Sequence, residues 1–412
     1  MSTEQTRQKI RVAIVGCGAI GRTHAAVVLE QPELELTALV DPIVPAREAL
    51  TEWIGGRAGE LAHYSSIAEA LAASEPSGER VADLFVLATP SGLHISGALE
   101  VLAAGKHVVI EKPLDVDLRQ AQQIEAAALA AEAKGQLATV ISQHRFDPAS
   151  QAVADAVAAG SFGTLTSAIA SIAWWRSQSY YDSGDWRGTW AMDGGGALMN
   201  QGVHTVDLLL WFLGKPVSIT AHAGLLAHRD IEVEDTAAAV ISFESGALAV
   251  LHATTAAYPG LSASVQLMGS LGSARIDNDR LVYFHASAEQ SEDARMGLQG
   301  GGNQAEEALA GYAEEAPEVA DPTVYPVGHA RQYRNVITAL QTGAVPGVRV
   351  SDAVNALACV RAVYISATLG RSVLFDDVLA GKYDDVVVSV PGASVPDAVS
   401  SDEAASDQEV SA

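Results

Sequence analysis

Short apolar runs and Ala-rich stretches of helical spacing alternate along the first third of the chain. Residues 11–16 read RVAIVG, and LELTALVD, ADLFVLATP, KHVVIEKP and QLATVIS repeat the form. Apolar runs this short and this continuous predict strands buried on both faces. Between them, residues 95–104 and 118–134 carry apolar side chains at helical spacing. The alternation predicts a parallel sheet covered by helices, an α/β domain over residues 8–143.

After Pro148 the pattern changes. A short helix is predicted over 150–159, then strands in TLTSAIASIAWW, VSITAHAGLL, DTAAAVISF, ALAVLHATTA, SASVQLMG, SARID and RLVYF. The tripeptides ESG (244–246) and NDR (278–280) read as hairpin turns. One helix, over 197–213, interrupts the strands. A second domain, 144–388, is therefore expected to be α+β, with a large open, mostly antiparallel sheet. Within it, residues 286–320 are rich in Glu, Ala and Gly and predict a long surface loop. Helices over 330–342 and 351–369 follow, then a last strand in DVVVSV. Residues 391–412 are rich in Ser, Ala and acids, contain no Lys or Arg, and are expected to form a disordered acidic tail.

Composition narrows the partners more than the fold. At 412 residues the chain exceeds one ordinary domain. A formal net charge of -25 repels nucleic acid and anionic membranes, so neither is expected as a partner. The two cysteines, Cys17 and Cys359, point to neither a disulfide framework nor a zinc site, and no metal is expected. The first residues, MSTEQTRQKIR, lack the apolar run of a signal peptide, and no run of about eighteen apolar residues suggests a membrane span. A cytoplasmic enzyme is the expectation.

Chemistry enters with GCGAIG, which places Gly16, Gly18 and Gly21 between a strand and a helix. Asp41 ends the next strand, twenty residues beyond Gly21. That context is the one a dinucleotide-binding turn requires. Gly16 allows the tight turn, Gly18 lets the backbone approach a pyrophosphate, and Gly21 lets helix and strand pack closely. The helix opens at Ala19 and Ile20, where N–H donors and a partial positive charge meet phosphate. Asp41 would accept hydrogen bonds from the adenosine ribose and repel a 2′-phosphate. NAD is therefore favoured, while Arg47 nearby keeps NADP open. The alternative is a glycine turn in some other doubly wound protein.

Lys112 ends a predicted parallel strand in VVIEKPL, the end at which open sheets bind ligands. By position alone it is either a substrate-facing group or an ordinary surface lysine. The segments VGCGAIGRTHA, ATPSGLH, EKP and GGGALMNQGVHTVDLLLW, with GHARQYRNVITAL and SDAVNALACVRAVYISATLG, resemble the Gfo/Idh/MocA oxidoreductases. The resemblance implies a Rossmann domain followed by a domain built on an open antiparallel sheet. It implies that Glu111 and Lys112 flank the cofactor, with Lys112 between nicotinamide and substrate. It also implies that Thr89, Pro90 and His94 line the cofactor site. A homodimer or homotetramer assembled through the sheet, and a sugar, cyclitol or polyol-like substrate, follow from the same resemblance.

Asn200, His204 and Asp207 stand at i, i+4 and i+7 of the predicted helix and so share one face. Buried polar groups need partners. The face is therefore either a site or a histidine satisfied by Asp207 at a domain interface. The resemblance places the family's catalytic histidine at His204. His204 is then the expected base, Lys112 the group that polarises the reacting oxygen, and Asp207 an orienter of the helix or the imidazole. Several relatives carry Asp where this chain has Asn200. Asn carries no proton, so no Lys–Asp–His relay is expected, and Asn200 is read as a contact to a substrate hydroxyl.

Gly194, Gly195 and Gly196 precede this helix. They are expected to let the chain turn and lie close to substrate or cofactor, not to hold phosphate. The preceding WWRSQSYYDSGDWRGTW suggests a substrate wall. Trp175, Tyr180, Tyr181, Trp186 and Trp190 offer faces for a sugar ring, or packing. Arg176 or Arg187 offers a carboxylate or phosphate contact, and His329 and Arg331 are further candidates. The expected function is hydride transfer between NAD(P) and a hydroxyl or carbonyl carbon of a sugar, cyclitol or sugar derivative. The alternatives are a glycoside or nucleotide-sugar 3-dehydrogenase with tightly held NAD, and a catalytically silent NAD-binding sensor. The sensor would need neither Lys112 nor His204.

Overall fold

The computed structural model describes residues 8–73, 81–289, 302–312 and 326–392. Strands β1 (Ile10–Val15), β2 (Leu34–Val40), β3 (Ala62–Tyr64), β4 (Leu84–Leu87), β5 (His107–Ile110) and β6 (Ala138–Val140) pair in parallel. Helices α1 (Ala19–Glu30), α2 (Val44–Ile54), α3 (Ile67–Ala72), α4 (His94–Ala103) and α5 (Leu118–Glu132) connect them. Val12, Ala13 and Ile14 are fully buried, as a strand covered on both faces requires. The order β3-β2-β1-β4-β5-β6 reverses between β1 and β4. Such a reversal opens a crevice at the carboxyl ends of the strands, where doubly wound folds bind ligands. Only β3 escapes the apolar pattern, because its three residues, AHY, are too few to form a run.

Helix α6 (Pro148–Ala158) leads into the second sheet, with α7 (Gln178–Tyr181) and α8 (Val203–Leu213) inserted after its first strand. The strands are β7 (Leu165–Ala173), β8 (Pro216–Gly224), β9 (Thr236–Phe243), β10 (Leu248–Thr254), β11 (Ala263–Gly269), β12 (Gly272–Asp277), β13 (Arg280–Ala286) and β14 (Val373–Leu374). They lie in the order β13-β12-β11-β7-β10-β9-β8-β14. Every pair is antiparallel except β7 with β10. Helices α9 (Ala305–Leu309), α10 (Pro326–Thr342), α11 (Val350–Leu369) and α12 (Phe375–Leu379) complete the described chain. Alternation decides the faces: Ala237, Ala239, Ile241 and Phe243 of β9 point inward, against the layer that α8 and α11 form. By length and composition α11 could cross a membrane, but 67% of its apolar window is buried, against α5, α8 and β8.

The structure changes several expectations. DVVVSV is not a strand: residues 386–390 run unpaired along the end of α11, where the Ser389 N–H donates to Thr368 Oγ1 at 3.1 Å. The acidic stretch 286–320 holds a short helix, α9, and the rest of it from 290 to 301 and from 313 onward lies outside the described residues. So does the tail beyond 392. Helix α10 begins at Pro326 and packs on α1, where Ala330, Tyr333 and Val336 join the core around Val12 and Ile14. The helix foreseen over 197–213 is two pieces, a π-helical stretch Ala197–Gly202 and then α8. A π turn closes on i+5, so spacing counted at 3.6 residues per turn loses its phase across this junction.

Candidate active site

Gly16 sits at φ +97°, and a Cβ there would lie 2.4 Å from the Ala88 carbonyl oxygen. A Cβ on Gly21 would lie 2.0 Å from the carbonyl oxygen of Gly16. Both positions admit only glycine, one for β1–β4 contact and one for helix packing. Gly18 differs: nothing lies within 4 Å of its Cβ direction, and no side chain caps α1. The first N–H groups of α1, from Ala19 and Ile20, are thus left for an anion, as a pyrophosphate cradle requires. Asp41 is fixed beside this turn, its carboxylate accepting from Cys17 N–H at 2.9 Å and Ile43 N–H at 2.8 Å. The Arg47 guanidinium reaches the Asp41 carbonyl, not its carboxylate. Thr89 and Pro90 follow β4. His94 is fully buried between the carbonyls of Thr89 and Pro113, each 2.9 Å away. It staples the two loops together, and so does not itself line the cleft.

A cleft of about 1590 Å³ runs from Ile20 and Thr23 on α1 past Lys112 to the second sheet. Lys112, Asn200 and His204 stand on its wall. The Lys112 Nζ donates to the backbone carbonyl of Asn200 at 3.4 Å. Burial lowers the Lys112 ammonium from its ordinary range, while Glu111 and Asp193 oppose the shift. Burial first, then the charges of Lys112 and His144, hold His204 well below the usual imidazole range. His204 is therefore neutral at neutral pH and free to accept a proton.

Asp207 is not the imidazole's partner. Arg145 takes both of its oxygens, at 2.7 Å from Nε and 2.6 Å from Nη2, and the Ser142 hydroxyl adds a short bond. This buried bidentate pair ties α8 to the turn at Gln143–Phe146. The π-helical start separately takes Asn200 out of the phase of the three-residue face, while His204 and Asp207 both lie in α8.

The three glycines also have a different neighbour from the one expected. A Cβ on Gly195 would meet the Tyr364 hydroxyl at 2.3 Å, and one on Gly196 the Glu234 carbonyl oxygen at 1.7 Å. They approach the protein's own core. Glu234 is completely buried and accepts from Gly196 N–H at 3.0 Å, Leu198 N–H at 2.9 Å and Tyr364 Oη at 2.9 Å. The anion site at this helix start is thus filled by a glutamate of the chain. Burial pushes that carboxyl up to about 7, against the pull of its three donors.

Among the aromatics, Trp175, Arg176 and Tyr180 line the cleft. Arg176 Nε is buried without a hydrogen-bond partner among the described residues. Tyr181 is core, with its hydroxyl 2.8 Å from Thr255 Oγ1. Arg187 lies over the rings of Tyr180 and Trp186 and donates to Ser183, away from the cleft lining. Trp190 packs edge-on against Tyr364. His329 and Arg331 do reach the cleft. The His329 Nε2 stands 3.1 Å from Glu111 Oε1, and His24 Nε2 stands 3.0 Å from the same oxygen. Burial would raise Glu111, yet the two imidazoles hold it well below the carboxylate range. Its other oxygen accepts from Lys112 N–H at 2.9 Å, so Glu111 and its two imidazoles brace the base of the lysine at the cleft wall.

Four residues here escaped sequence reasoning: Asp193, His144, Asp147 and Asp279. Asp193 is buried, accepts from Gly188 N–H at 2.7 Å, and is hydrogen-bonded by the Asn200 side chain beside Lys112. It heads the very stretch DGGGALMNQGVHTVD whose later letters carried the argument, and only its burial marks it.

Two family models divide the chain. Residues 10–141 match the oxidoreductase family with NAD-binding Rossmann fold, and residues 150–275 match the GFO/IDH/MocA C-terminal domain. The chain belongs to the Gfo/Idh/MocA oxidoreductases. It is 24% identical to the inositol 2-dehydrogenase of Rhizobium meliloti over 88% of this chain and 98% of that one. It is 27% identical to the D-glucoside 3-dehydrogenase of Escherichia coli over 54% of this chain and 60% of that one. The crystal structure of the WlbA dehydrogenase from Bordetella pertussis, in complex with NADH and UDP-GlcNAcA, shares 32% identity. That match has a TM-score of 0.74 and covers 90% of this chain and 98% of the other. This oxidoreductase binds NAD and acts on hydroxyl groups of sugar-like substrates.

Proposed function

We propose that this oxidoreductase acts on a sugar carrying an anionic or glycosidic extension, a nucleotide-linked sugar or glycoside, with His204 as the base and Lys112 as the polarising group. The observation that carries the assignment is the pair itself: a neutral imidazole and a half-buried ammonium on one wall of one cleft. NAD, when bound at the Gly16–Gly21 turn, supplies the hydride acceptor for oxidation or the donor for reduction. In the oxidative direction His204 takes the proton of the reacting hydroxyl as its carbon gives up hydride. The Lys112 ammonium donates a hydrogen bond to the same oxygen and stabilises the charge that builds there. Asn200, held by Asp193, offers an amide to a neighbouring hydroxyl. Reduction runs the same transfers backwards, and nothing in the residues favours one direction.

The wall of the cleft beyond the cofactor turn supports an extended substrate: Trp175, Arg176 and Tyr180 continue the lining that carries Lys112 and His204. Arg176, with its unpartnered buried Nε, suits a phosphate or carboxylate remote from the reacting carbon. The WlbA complex holds a nucleotide sugar acid, and that protein is more similar to this chain than the inositol dehydrogenase is. A silent sensor is disfavoured because it has no use for a depressed imidazole beside a half-buried ammonium. The test is nicotinamide absorbance with a panel of cyclitols, glycosides and nucleotide sugars. Turnover confined to free cyclitols would overturn the substrate class. Full turnover by His204→Ala would overturn the base.

The outer face of the second sheet supports a homodimer or homotetramer. Ile169, Val250 and Val240 pair in register across β7, β10 and β9, yet are 39%, 48% and 53% exposed. A continuous apolar row on an open sheet is the mark of an interface.

A further inference from the structure

The mechanism above leaves one cluster on the cleft wall unused. His144 Nδ1 lies 2.9 Å from Asp147 Oδ2 and 3.0 Å from Asp279 Oδ1. Its ring stands edge-on to the ring of His204, with centroids 5.0 Å apart and planes at 79°. The three residues come from three places. His144 belongs to the turn after β6, Asp147 precedes α6, and Asp279 sits in the turn between β12 and β13. Arg331 of α10 donates to the other side of Asp147 at 2.7 Å. The turn that carries His144 is itself locked to the helix that carries His204, through Arg145 and Asp207.

One imidazole nitrogen facing two carboxylate oxygens at hydrogen-bond distance must carry its proton, and two anions beside one ring favour the doubly protonated, cationic form. We propose that His144 is a positioning residue for the base, a fixed imidazolium clamped by Asp147 and Asp279 that holds the His204 ring in the cleft and disfavours a second positive charge there. The inference rests on His204 being the base. Burial works against the charge, but the two carboxylates raise His144 to about 10. The groups facing His204 are Lys112, His144 and His329, all of which oppose its protonation, and Glu111, which favours it. Of these, only His144 makes a ring contact with it.

Asp279 strengthens the case from the backbone. Asn278 and Asp279 both have positive φ, 45° and 63°. A two-residue hairpin turn of this shape prefers Gly at its second position. An Asp there, with its carboxylate on His144, is a residue kept for its side chain.

The test compares pH profiles. In His144→Gln the acid limb of kcat/KM moves to higher pH, and the rate at pH about 6 relative to pH about 8 falls at least threefold below the wild-type ratio. His144→Lys keeps a cation and leaves the limb in place. Asp279→Gly suits the turn, so it folds. There the imidazole titration of His144, followed by NMR, moves down by about one unit or more, and kcat falls while NAD affinity is unchanged. The proposal fails if His144→Gln binds NAD normally and keeps the wild-type profile, or if the His144 titration is unmoved in Asp279→Gly. It also fails if chelator treatment of the wild type changes the profile, since a divalent cation would then hold the three ligands together. Failure of the base assignment is separable, because His204→Ala alone would then turn over.

Discussion

At the scale of single residues, the proposed chemistry rests on charge at the cleft wall. His204 is kept neutral mainly by burial and then by the cations around it. Its acid limb should therefore lie below the ordinary histidine range, and kcat/KM should persist under pH about 6.5. Removing the imidazole, in His204→Ala, should lower turnover by about 10²–10⁴-fold with NAD affinity retained, as steady-state kinetics and cofactor fluorescence would report. Asp193 acts on the other partner. Burial lowers Lys112, and the Asp193 charge resists that shift. Asp193→Asn should therefore bring the alkaline limb to lower pH, because the ammonium is lost sooner. The letters Lys112, Asn200 and His204 were legible in the sequence because motifs hold them at fixed spacing. Asp193 and His144 were not, because nothing about a lone Asp or His marks it until its neighbours close around it.

At the scale of elements, the approach to α8 decides the site. The triple glycine is not expected to hold phosphate, and the N–H groups of Gly196 and Leu198 instead donate to the Glu234 carboxylate. Gly196→Ala would force a Cβ to within 1.7 Å of the Glu234 carbonyl oxygen. It should cost about 3 kcal/mol in urea unfolding and misplace Asn200 and His204 together. The far end of the same arrangement is Asp207. Replacing it with Ala leaves Arg145 buried without its bidentate partner, at a cost of about 3–5 kcal/mol in the same measurement. Sequence spacing leaves Asp207 as an orienter of either the helix or the imidazole, and Arg145, which takes both its oxygens, makes it a tie of the helix. The π turn could not be seen in the spacing, since it arises where Glu234 and Tyr364 draw the first N–H groups inward.

At the scale of the whole molecule, two sheets with different rules meet at one cleft. The parallel sheet is buried on both faces and presents its strand ends to the cofactor. The second is buried on one face only, and its other face carries the row Ile169, Val250 and Val240. On the proposed sheet interface, Val240→Lys with Val250→Lys should give a smaller species than the wild type in sedimentation or light scattering, still folded by circular dichroism. A native monomer would refute that interface. Helix α10 crosses back from the second half of the chain to α1, and with it His329 reaches Glu111. The two domains therefore share the residues that brace Lys112, and the lysine's position depends on both.

The sequence by itself determined the strand runs, the glycine turn with Asp41, and the motif letters Lys112 and His204. Each is local: periodicity follows from which face is buried, and a turn or fingerprint is written within a few residues. Tertiary structure alone decided which acid serves which base. Asp207 went to Arg145, Glu234 to the helix start, Asp193 to Asn200, and Asp147 with Asp279 to His144. A carboxylate's partner is set by what folding brings within about 3 Å in a desolvated site, and no spacing along the chain encodes that distance.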